Sequence, residues 1–566
     1  MSHPLLDFLY QHDGHVALLQ ALLLCAGLFV ARKEMIRAWL ELGRSTRWGF
    51  LGLGVLGMLV PLLVFPTERF VPLGHEASYF ECFTGQRSPS NSSGWHTFVT
   101  HPLLRWIYWG IGGLVGRDAG PGPLLVVNAA ATGAAVTLLA WLARVLSDRV
   151  EVGFAAGALL VVHPVHAFWG AAIFHTAIPY TLGVGALLFS LLAWKGGSAR
   201  LLLCAAACGV TMTALRIEWG VLAPGLAILL LGLGPGWGRH PRVMSRGFWL
   251  PALALTFLGG GLVFGVGGSL TQQGGYHSVS GYLGTIQRQF FFRDIFEPWG
   301  HGLLLLMGAL GGLSWGSRKT VGWRGPAGLW GLVLVTHLAL STFNDYGYRH
   351  ALLPGTGLLL SAALVAPGLR ASFGPYRAAS AALLVAAFTT SILVLAEAGD
   401  RYYASEEQFV DDHEEFSSGP SLDPAELEDG SCYLISDSER LWELSRERLE
   451  RGQAGDALVG SHFNLMDPGE AVTHFRAHGG CVLWLLDKSQ YRWDSLGARV
   501  RAAKMRYWFS WKPMGSVRFD DGLDAVVYRL SSPPWGVGND QPIPATEFLL
   551  PAPPDSQTQS ELEFAK

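Results

Sequence analysis

The sequence predicts a mostly α-helical, polytopic membrane bundle followed by a soluble α/β domain. Three observations predict it. Half of the 566 residues are hydrophobic and only 15% are charged, with a mean hydropathy of +0.30, whereas a soluble domain carries about 25% charge. The apolar residues gather into runs near the ~20 residues that cross a bilayer. The charge is also divided. Residues 1–397 hold 25 Lys+Arg and 15 Asp+Glu, a net of +10, and residues 398–566 hold 16 and 29, a net of −13. An apolar basic body thus precedes an acidic soluble tail. Nothing concentrates the basic residues as nucleic-acid binding requires. Six cysteines in this length exclude a disulfide-rich scaffold.

About twelve spans are predicted, at 14–31, 48–65, 121–143, 152–168, 174–194, 200–214, 217–233, 248–268, 301–315, 325–343, 350–368 and 377–396. The first does not read as a signal peptide, because its basic cluster (Arg32, Lys33, Arg37) follows the apolar run instead of preceding it. The Lys/Arg bias of short loops orients the bundle. Loops 32–47, 144–151, 195–200, 234–247, 316–324 and 369–377 hold 17 Lys+Arg, against 8 in the alternate set. The first set is therefore expected in the cytoplasm. Both termini and the acidic domain are expected outside, in a multi-pass protein of the cell's inner membrane.

The outer set carries the ionisable groups, including His75, Glu76, Glu81, His101, His163, His166, His175, Arg216, Glu218 and Arg349. The cytoplasmic loops have a single histidine, His240. Ionisable groups gathered on one face mark that face as the working one.

In the tail, CYLIS (432–436), ALVG (457–460), CVLWLL (481–486) and DAVVYRL (524–530) read as strands. LWELSRERLERG (441–452) and SLGARVRAAKMRYW (495–508) read as helices. The domain organisation expected is a membrane domain over 1–397 with a long outer loop at 66–120, an α/β domain over 398–530, and a Pro-rich disordered tail over 531–566. No tetratricopeptide period is present.

Four segments carry chemistry in a definite order. GHEASYFECF (74–83) leads to HPLLRW (101–106) and a span with Asn128. VVHPVHAFWG (161–170), ALRIEWGVLAPG (214–225) and NDYGYRHALLPG (344–355) follow. Together they resemble the GT-C superfamily of polytopic glycosyltransferases, closest to the protein O-mannosyltransferase-like branch whose animal members carry tetratricopeptide repeats. The resemblance covers roughly residues 48–365. It departs where that branch has an acidic pair and this chain has His75-Glu76, and where the branch has Lys-Glu and this chain has Ile217-Glu218 with Arg216 before it. The repeats are replaced by the acidic domain.

The resemblance implies transfer of a sugar from a polyprenyl-phosphate donor to a hydroxyl of a protein, lipid or glycan on the outer face. A phosphate leaves readily, so the protein's main tasks are to deprotonate the acceptor and to hold the phosphate. Glu76 is the expected base, which contributes about 10²–10⁴-fold. His75, with a reference pKa near 6.5, is a second proton acceptor. Arg216 and Arg349 are the expected phosphate cations, with Glu218, His101, His163 and His166 as further substrate contacts. Arg216 and Glu218 also read as an ion pair at a helix turn. His101 and His163, each before a proline, fit a helix N-terminus equally well. No cofactor is expected, and a divalent metal held by His163, His166 and His175 is the less favoured alternative, since His163 and His166 are spaced i, i+3 and not i, i+4, and Pro164 opposes a regular helix there. Cys432 and Cys481 each follow a glycine-containing turn and open a strand. They are a disulfide candidate if those strands are parallel neighbours. The competing functions are a transporter or flippase of lipid-linked sugars, whose mark is inverted repeats, and a catalytically lapsed GT-C scaffold.

Overall fold

The computed structural model describes residues 13–64, 75–86, 88–89, 102–171, 176–216, 219–220, 222–233, 300–316, 322–341, 348–417, 421–422, 433–436, 482–487, 510–518 and 524–531. The expected span at 248–268 and the Pro-rich tail beyond Ser531 lie outside them, as do the expected strand at 457–460 and the tail helices at 441–452 and 495–508. The chain forms two compact units, with the main division at Gly399/Asp400.

The first unit is helical. Its elements are α1 (Asp13–Leu40), α2 (Arg44–Val64), α3 (His75–Thr84), α4 (Pro102–Val115), α5 (Gly122–Ser147), α6 (Val150–Val161) and α7 (Pro164–Ala171). They continue with α8 (Ala177–Gly196), α9 (Ala199–Leu215), α10 (Leu222–Leu233), α11 (Gly300–Gly316), α12 (Arg324–Ser341) and α13 (Tyr348–Ala363). Five helices are long and apolar enough to cross a membrane: Gly14–Leu40, Arg44–Val64, Gly122–Ser147, Ala177–Gly196, and Gly374–Leu393 at the start of α14 (Gly374–Ser417). Shorter apolar helices occupy most of the other expected spans.

Local chemistry sets the boundaries. Pro121 caps the start of α5, and Asp148 ends it in the left-handed conformation at φ 57° with its N–H on the Arg144 carbonyl. Ser198 accepts from the Leu201 N–H at the start of α9. The run expected to span 152–168 is broken in two. Helix α6 ends at Val161, and Pro164, with no N–H to donate, starts α7. The last expected span continues as helix to Ser417, through polar residues that favour helix as well as apolar ones do.

Helices α5 and α8 lie mostly buried, whereas α1, α2 and the apolar part of α14 are mostly exposed. The exposed positions are apolar, with Leu19, Phe29 and Leu63 each about two-thirds accessible or more. An apolar surface on such long helices is suited to lipid. The core is close-packed. Gly54 and Gly133 bring α2 and α5 so near that a Cβ on Gly133 would overlap the Gly54 carbonyl oxygen. Rings of Trp39 and Trp141, and of Phe50 and Phe154, meet edge-on at 5.1 Å.

Ion pairs collect at one end of this unit. Asp148 receives Lys195 at 2.6 Å and Arg144 at 3.4 Å, Glu151 lies 3.9 Å from Arg370, and Arg200 meets Glu34 at 3.0 Å. These exposed pairs add little stability, but they show that basic connections 32–47, 144–151, 195–200 and 369–377 share one end. Asn128, near the start of α5, is twenty residues from Asp148, about 30 Å along the helix.

The second unit contains a five-stranded mixed sheet of β1 (Ser421–Leu422), β2 (Tyr433–Ser436), β3 (Val482–Asp487), β4 (Ser510–Arg518) and β5 (Asp524–Ser531), ordered β1-β4-β5-β3-β2. Strands β4 and β5 pair antiparallel, as do β3 and β5, while β1 with β4 and β2 with β3 are parallel. Val526 and Val527 of the central β5 are fully buried. Strand β4 is absent from the sequence reading because Pro513 sits inside it. The sheet accommodates that proline beside a bulge at 513/515, on a stretch where β1 does not pair.

Candidate functional site

The polar residues of the first unit converge at the end opposite the ion pairs. The convergence begins where α3 and α4 pack side by side. The Arg117 guanidinium donates through Nη1 to the carbonyls of Phe83 (2.7 Å) and Cys82 (3.1 Å), the C-terminal carbonyls of α3, and lies 4.8 Å from the Trp109 ring. Gly112 permits the close approach, since a Cβ there would overlap the Phe83 carbonyl oxygen. The two helices are thereby held in one arrangement.

Between the two helices, Tyr79 of α3 and Tyr108 of α4 are both fully buried and meet edge-on at 5.6 Å. The Tyr108 hydroxyl donates to Asn128 Oδ1 at 3.1 Å, and Asn128 Nδ2 donates to the Leu124 carbonyl at 3.1 Å. Arg105 lies one turn before Tyr108 and is 1% exposed. Burial pushes the Tyr79 phenol well above its usual range, and neighbouring Tyr108 adds to the shift. The fields of Arg105 and Arg216 oppose it. Tyr79 is therefore a neutral phenol flanked by cations from two helices.

Arg216 forms the C-cap of α9, its N–H bonding the Met212 carbonyl at 2.7 Å. Its guanidinium is buried 4.7 Å from the Trp219 ring. Trp219 meets Tyr180 of α8 at 6.3 Å, and the Tyr180 hydroxyl is 3.1 Å from Thr356 Oγ1 of α13. His166 lies edge-on to Tyr180 at 5.4 Å. Polar and aromatic side chains thus form two sets, Tyr79, Tyr108 and Asn128 joining α3, α4 and α5, and Arg216, Trp219, Tyr180, His166 and Thr356 joining α7, α8, α9 and α13, with the field of Arg216 reaching Tyr79.

The two buried histidines have different roles. His163 is the N-cap of α7, and its Nδ1 accepts from the His166 N–H at 3.4 Å. This is the helix-start role that the following proline suggested. His166 Nδ1 lies 3.1 Å from the Leu160 carbonyl oxygen. A carbonyl only accepts, so Nδ1 carries the hydrogen and Nε2 carries a lone pair. That Nε2 is buried with no hydrogen-bond partner among the described residues. A buried, unsatisfied acceptor costs about 1–3 kcal/mol and marks a position that calls for a functional explanation.

His75 and Glu76 open α3, four and three positions ahead of Tyr79. Arg349 is the second residue of α13, seven positions ahead of Thr356 and so on the same helical face. Their side chains are outside the described set. His101, Glu218, Cys432 and Cys481 lie outside the described residues altogether. Of the expected contacts, the structure brings Arg216 and His166 to one cluster through Tyr180 and Trp219.

Sequence reasoning missed Arg105, Tyr79, Tyr108, Tyr180, Trp219 and Thr356, and met Asn128 only within the resemblance. Arg105 carried a usable signal, being the one charge in the apolar run PLLRWIYWGIGGLV of α4. The aromatic residues carried none, because buried rings at helical spacing read as ordinary core. Among the described residues no group of three His, Cys, Asp or Glu side chains gathers as metal ligands would. No protein-family model matches the chain, and no curated protein matches it in sequence.

Proposed function

We propose that the protein is an integral membrane glycosyltransferase that moves a sugar from a polyprenyl-phosphate donor to an acceptor hydroxyl on the extracytoplasmic face. The observation that carries the reading is the convergence of two buried guanidinium groups, Arg105 and Arg216, on the helix whose first turn carries His75 and Glu76. Buried arginines are costly. At the end away from the basic connections, they suit a site that handles an anionic lipid. The basic connections then lie in the cytoplasm, and the second unit lies outside the inner membrane.

In this reaction the acceptor oxygen bonds to the anomeric carbon as the bond from that carbon to the phosphate oxygen breaks. Glu76 receives the acceptor proton, with His75 beside it. Arg216 and Arg349 bind the phosphate that departs with the polyprenyl chain. His166 Nε2 accepts a hydrogen bond from a substrate hydroxyl.

The test uses membranes containing the full-length protein and a polyprenyl-phosphate hexose labelled in the sugar. Wild type should release polyprenyl phosphate and pass the label to acceptor. Glu76→Gln should lower the rate by about 10²–10⁴-fold while retaining lipid binding. Arg349→Ala should weaken lipid binding instead. Near-normal turnover in both Glu76→Gln and His75→Ala would remove the catalytic assignment. Movement of intact donor across the bilayer without cleavage would favour a flippase.

A further inference from the structure

Two buried polar atoms, His166 Nε2 and Thr176 Oγ1, have no hydrogen-bond partner among the described residues. Both belong to residues beside Tyr180. The His166 ring meets the Tyr180 ring edge-on at 5.4 Å. Thr176 is the N-cap of α8, and its carbonyl accepts the Tyr180 N–H at 2.9 Å. Positions four apart share a helical face, so Thr176 stands on the Tyr180 face of α8, and its hydroxyl takes no part in capping the helix. We infer that these two residues read the sugar of the lipid donor, His166 Nε2 accepting a hydrogen bond from one sugar hydroxyl and Thr176 Oγ1 binding a second. The inference rests on the reaction proposed above and names the part of the substrate that α7 and the start of α8 recognise.

The hydrogen positions select the chemistry of the ligand. His166 Nδ1 holds its hydrogen on the Leu160 carbonyl, so Nε2 only accepts. Thr356 Oγ1 donates its one hydrogen to the Leu352 carbonyl at 3.4 Å. The Tyr180 hydroxyl, 3.1 Å from Thr356 Oγ1, is therefore the donor of that pair, and its oxygen keeps an accepting lone pair. Acceptors on adjoining rings call for a ligand that donates. A phosphate oxygen accepts and a polyprenyl chain does neither, so neither satisfies Nε2. An ammonium donates, but the buried Arg216 guanidinium beside Trp219 opposes a second cation nearby. A neutral hydroxyl fits.

The sugar is the hydroxyl-bearing group bonded directly to the phosphate. The Arg216 guanidinium lies 4.7 Å from the Trp219 ring, Trp219 meets Tyr180 at 6.3 Å, and Tyr180 meets His166. A phosphate held by Arg216 thus has two aromatic rings leading away from it, with an acceptor at the far ring. Aromatic walls with a few placed polar atoms are the common makeup of a small-molecule site.

The experiment measures binding to the full-length protein in lipid nanodiscs. The probes are polyprenyl-phosphate glucose, galactose and mannose, the monodeoxy forms of whichever binds tightest, and polyprenyl phosphate without sugar. Wild type should bind one glycosylated lipid more tightly than the bare lipid. Deleting one particular hydroxyl should weaken that binding about 5–150-fold, the cost of leaving a buried acceptor unsatisfied. His166→Asn keeps an amide N–H near the Nδ1 position for the Leu160 carbonyl and removes the acceptor at Nε2. It should bind the parent sugar lipid as weakly as wild type binds that deoxy form and no longer distinguish the two. His166→Gln returns a carbonyl oxygen near the Nε2 position and should recover most of the discrimination. Thr176→Val should blunt discrimination at a different hydroxyl. A histidine that serves only the structure of α7 through Leu160 would give the reverse order, Asn near wild type and Gln impaired, and that result overturns the inference. Wild-type indifference to the sugar, or to every single hydroxyl, overturns it as well and suffices if the His166 variants fail to fold. In these cases binding of the bare lipid leaves the proposed reaction standing. Failure of every lipid to bind, bare or glycosylated, removes that reaction and this inference together.

Discussion

Replacing Tyr108 by Phe removes a hydrogen bond between α4 and α5. The ring remains, so its edge-on contact with Tyr79 at 5.6 Å remains. What is lost is the 3.1 Å bond to Asn128 Oδ1, between two side chains that are both fully buried. A neutral hydrogen bond contributes about 0.5–1.5 kcal/mol net, and the stranded Asn128 carbonyl raises the total to about 1–3 kcal/mol. Bonds between helices of membrane proteins run lower in double-mutant cycles, averaging about 0.6 kcal/mol with a ceiling near 1.7. The expected destabilisation by Tyr108→Phe is therefore about 1–2 kcal/mol. Asn128→Leu should cost at least as much, because it also removes the bond to the Leu124 carbonyl. The double variant should fall short of the sum of the two by about 0.6–1.7 kcal/mol, the coupling of the pair. Equilibrium unfolding in mixed detergent–SDS micelles at a fixed SDS fraction reads these differences. Strict additivity, or a Tyr108→Phe protein within about 0.3 kcal/mol of wild type, a difference that distant, uncoupled sites also show, would refute the reasoning that this bond ties α4 to α5.

The same measurement tests the α3–α4 packing with two glycines of one helix. Gly112→Ala should destabilise by about 1–3 kcal/mol through overpacking, since its Cβ would overlap the Phe83 carbonyl oxygen and press on Arg117 Nη1 at 2.9 Å. Gly110→Ala meets nothing within 4 Å and should be neutral or gain up to about 1 kcal/mol of helix propensity; equal effects at the two positions would contradict the close approach. Topology is checked by reporters on the full chain: one after Lys566 should report from outside the cytoplasm and one inserted within residues 234–247 from inside it. A cytoplasmic C-terminal reporter would remove the outward-facing site.

What the sequence determined by itself is the class of the molecule and the position of most helices. Long apolar runs with few charges leave the backbone one economical arrangement, in which every N–H and C=O is satisfied within the segment. Residues that dictate the backbone set several boundaries, as Pro121 does at the start of α5, Ser198 at the start of α9, and Gly197 at φ 72° after α8. The grouping of the basic connections was legible too, and the Asp148–Lys195 and Arg200–Glu34 pairs bring several of them to one end.

Tertiary structure alone decided which residues of distant segments share a site. Tyr79, Arg105, Asn128, Arg216 and Thr356 are spread over almost three hundred positions, and no local rule relates them. Their convergence depends on how close α3 and α4 pack, set by Gly112 and the Arg117 clamp, and on α8 and α13 meeting through Tyr180 and Thr356. Strand β4 was hidden for a related reason: Pro513 forbids a strand by local chemistry, and only the bulge and the unpaired flank supplied by the neighbouring strands make it tolerable there. Tyr433 and Val482 stand opposite each other in parallel strands, a register that arises from pairing across 49 residues. Short-range propensity is a property of a few neighbouring residues, whereas register and helix approach are properties of surfaces that exist only after the chain has packed.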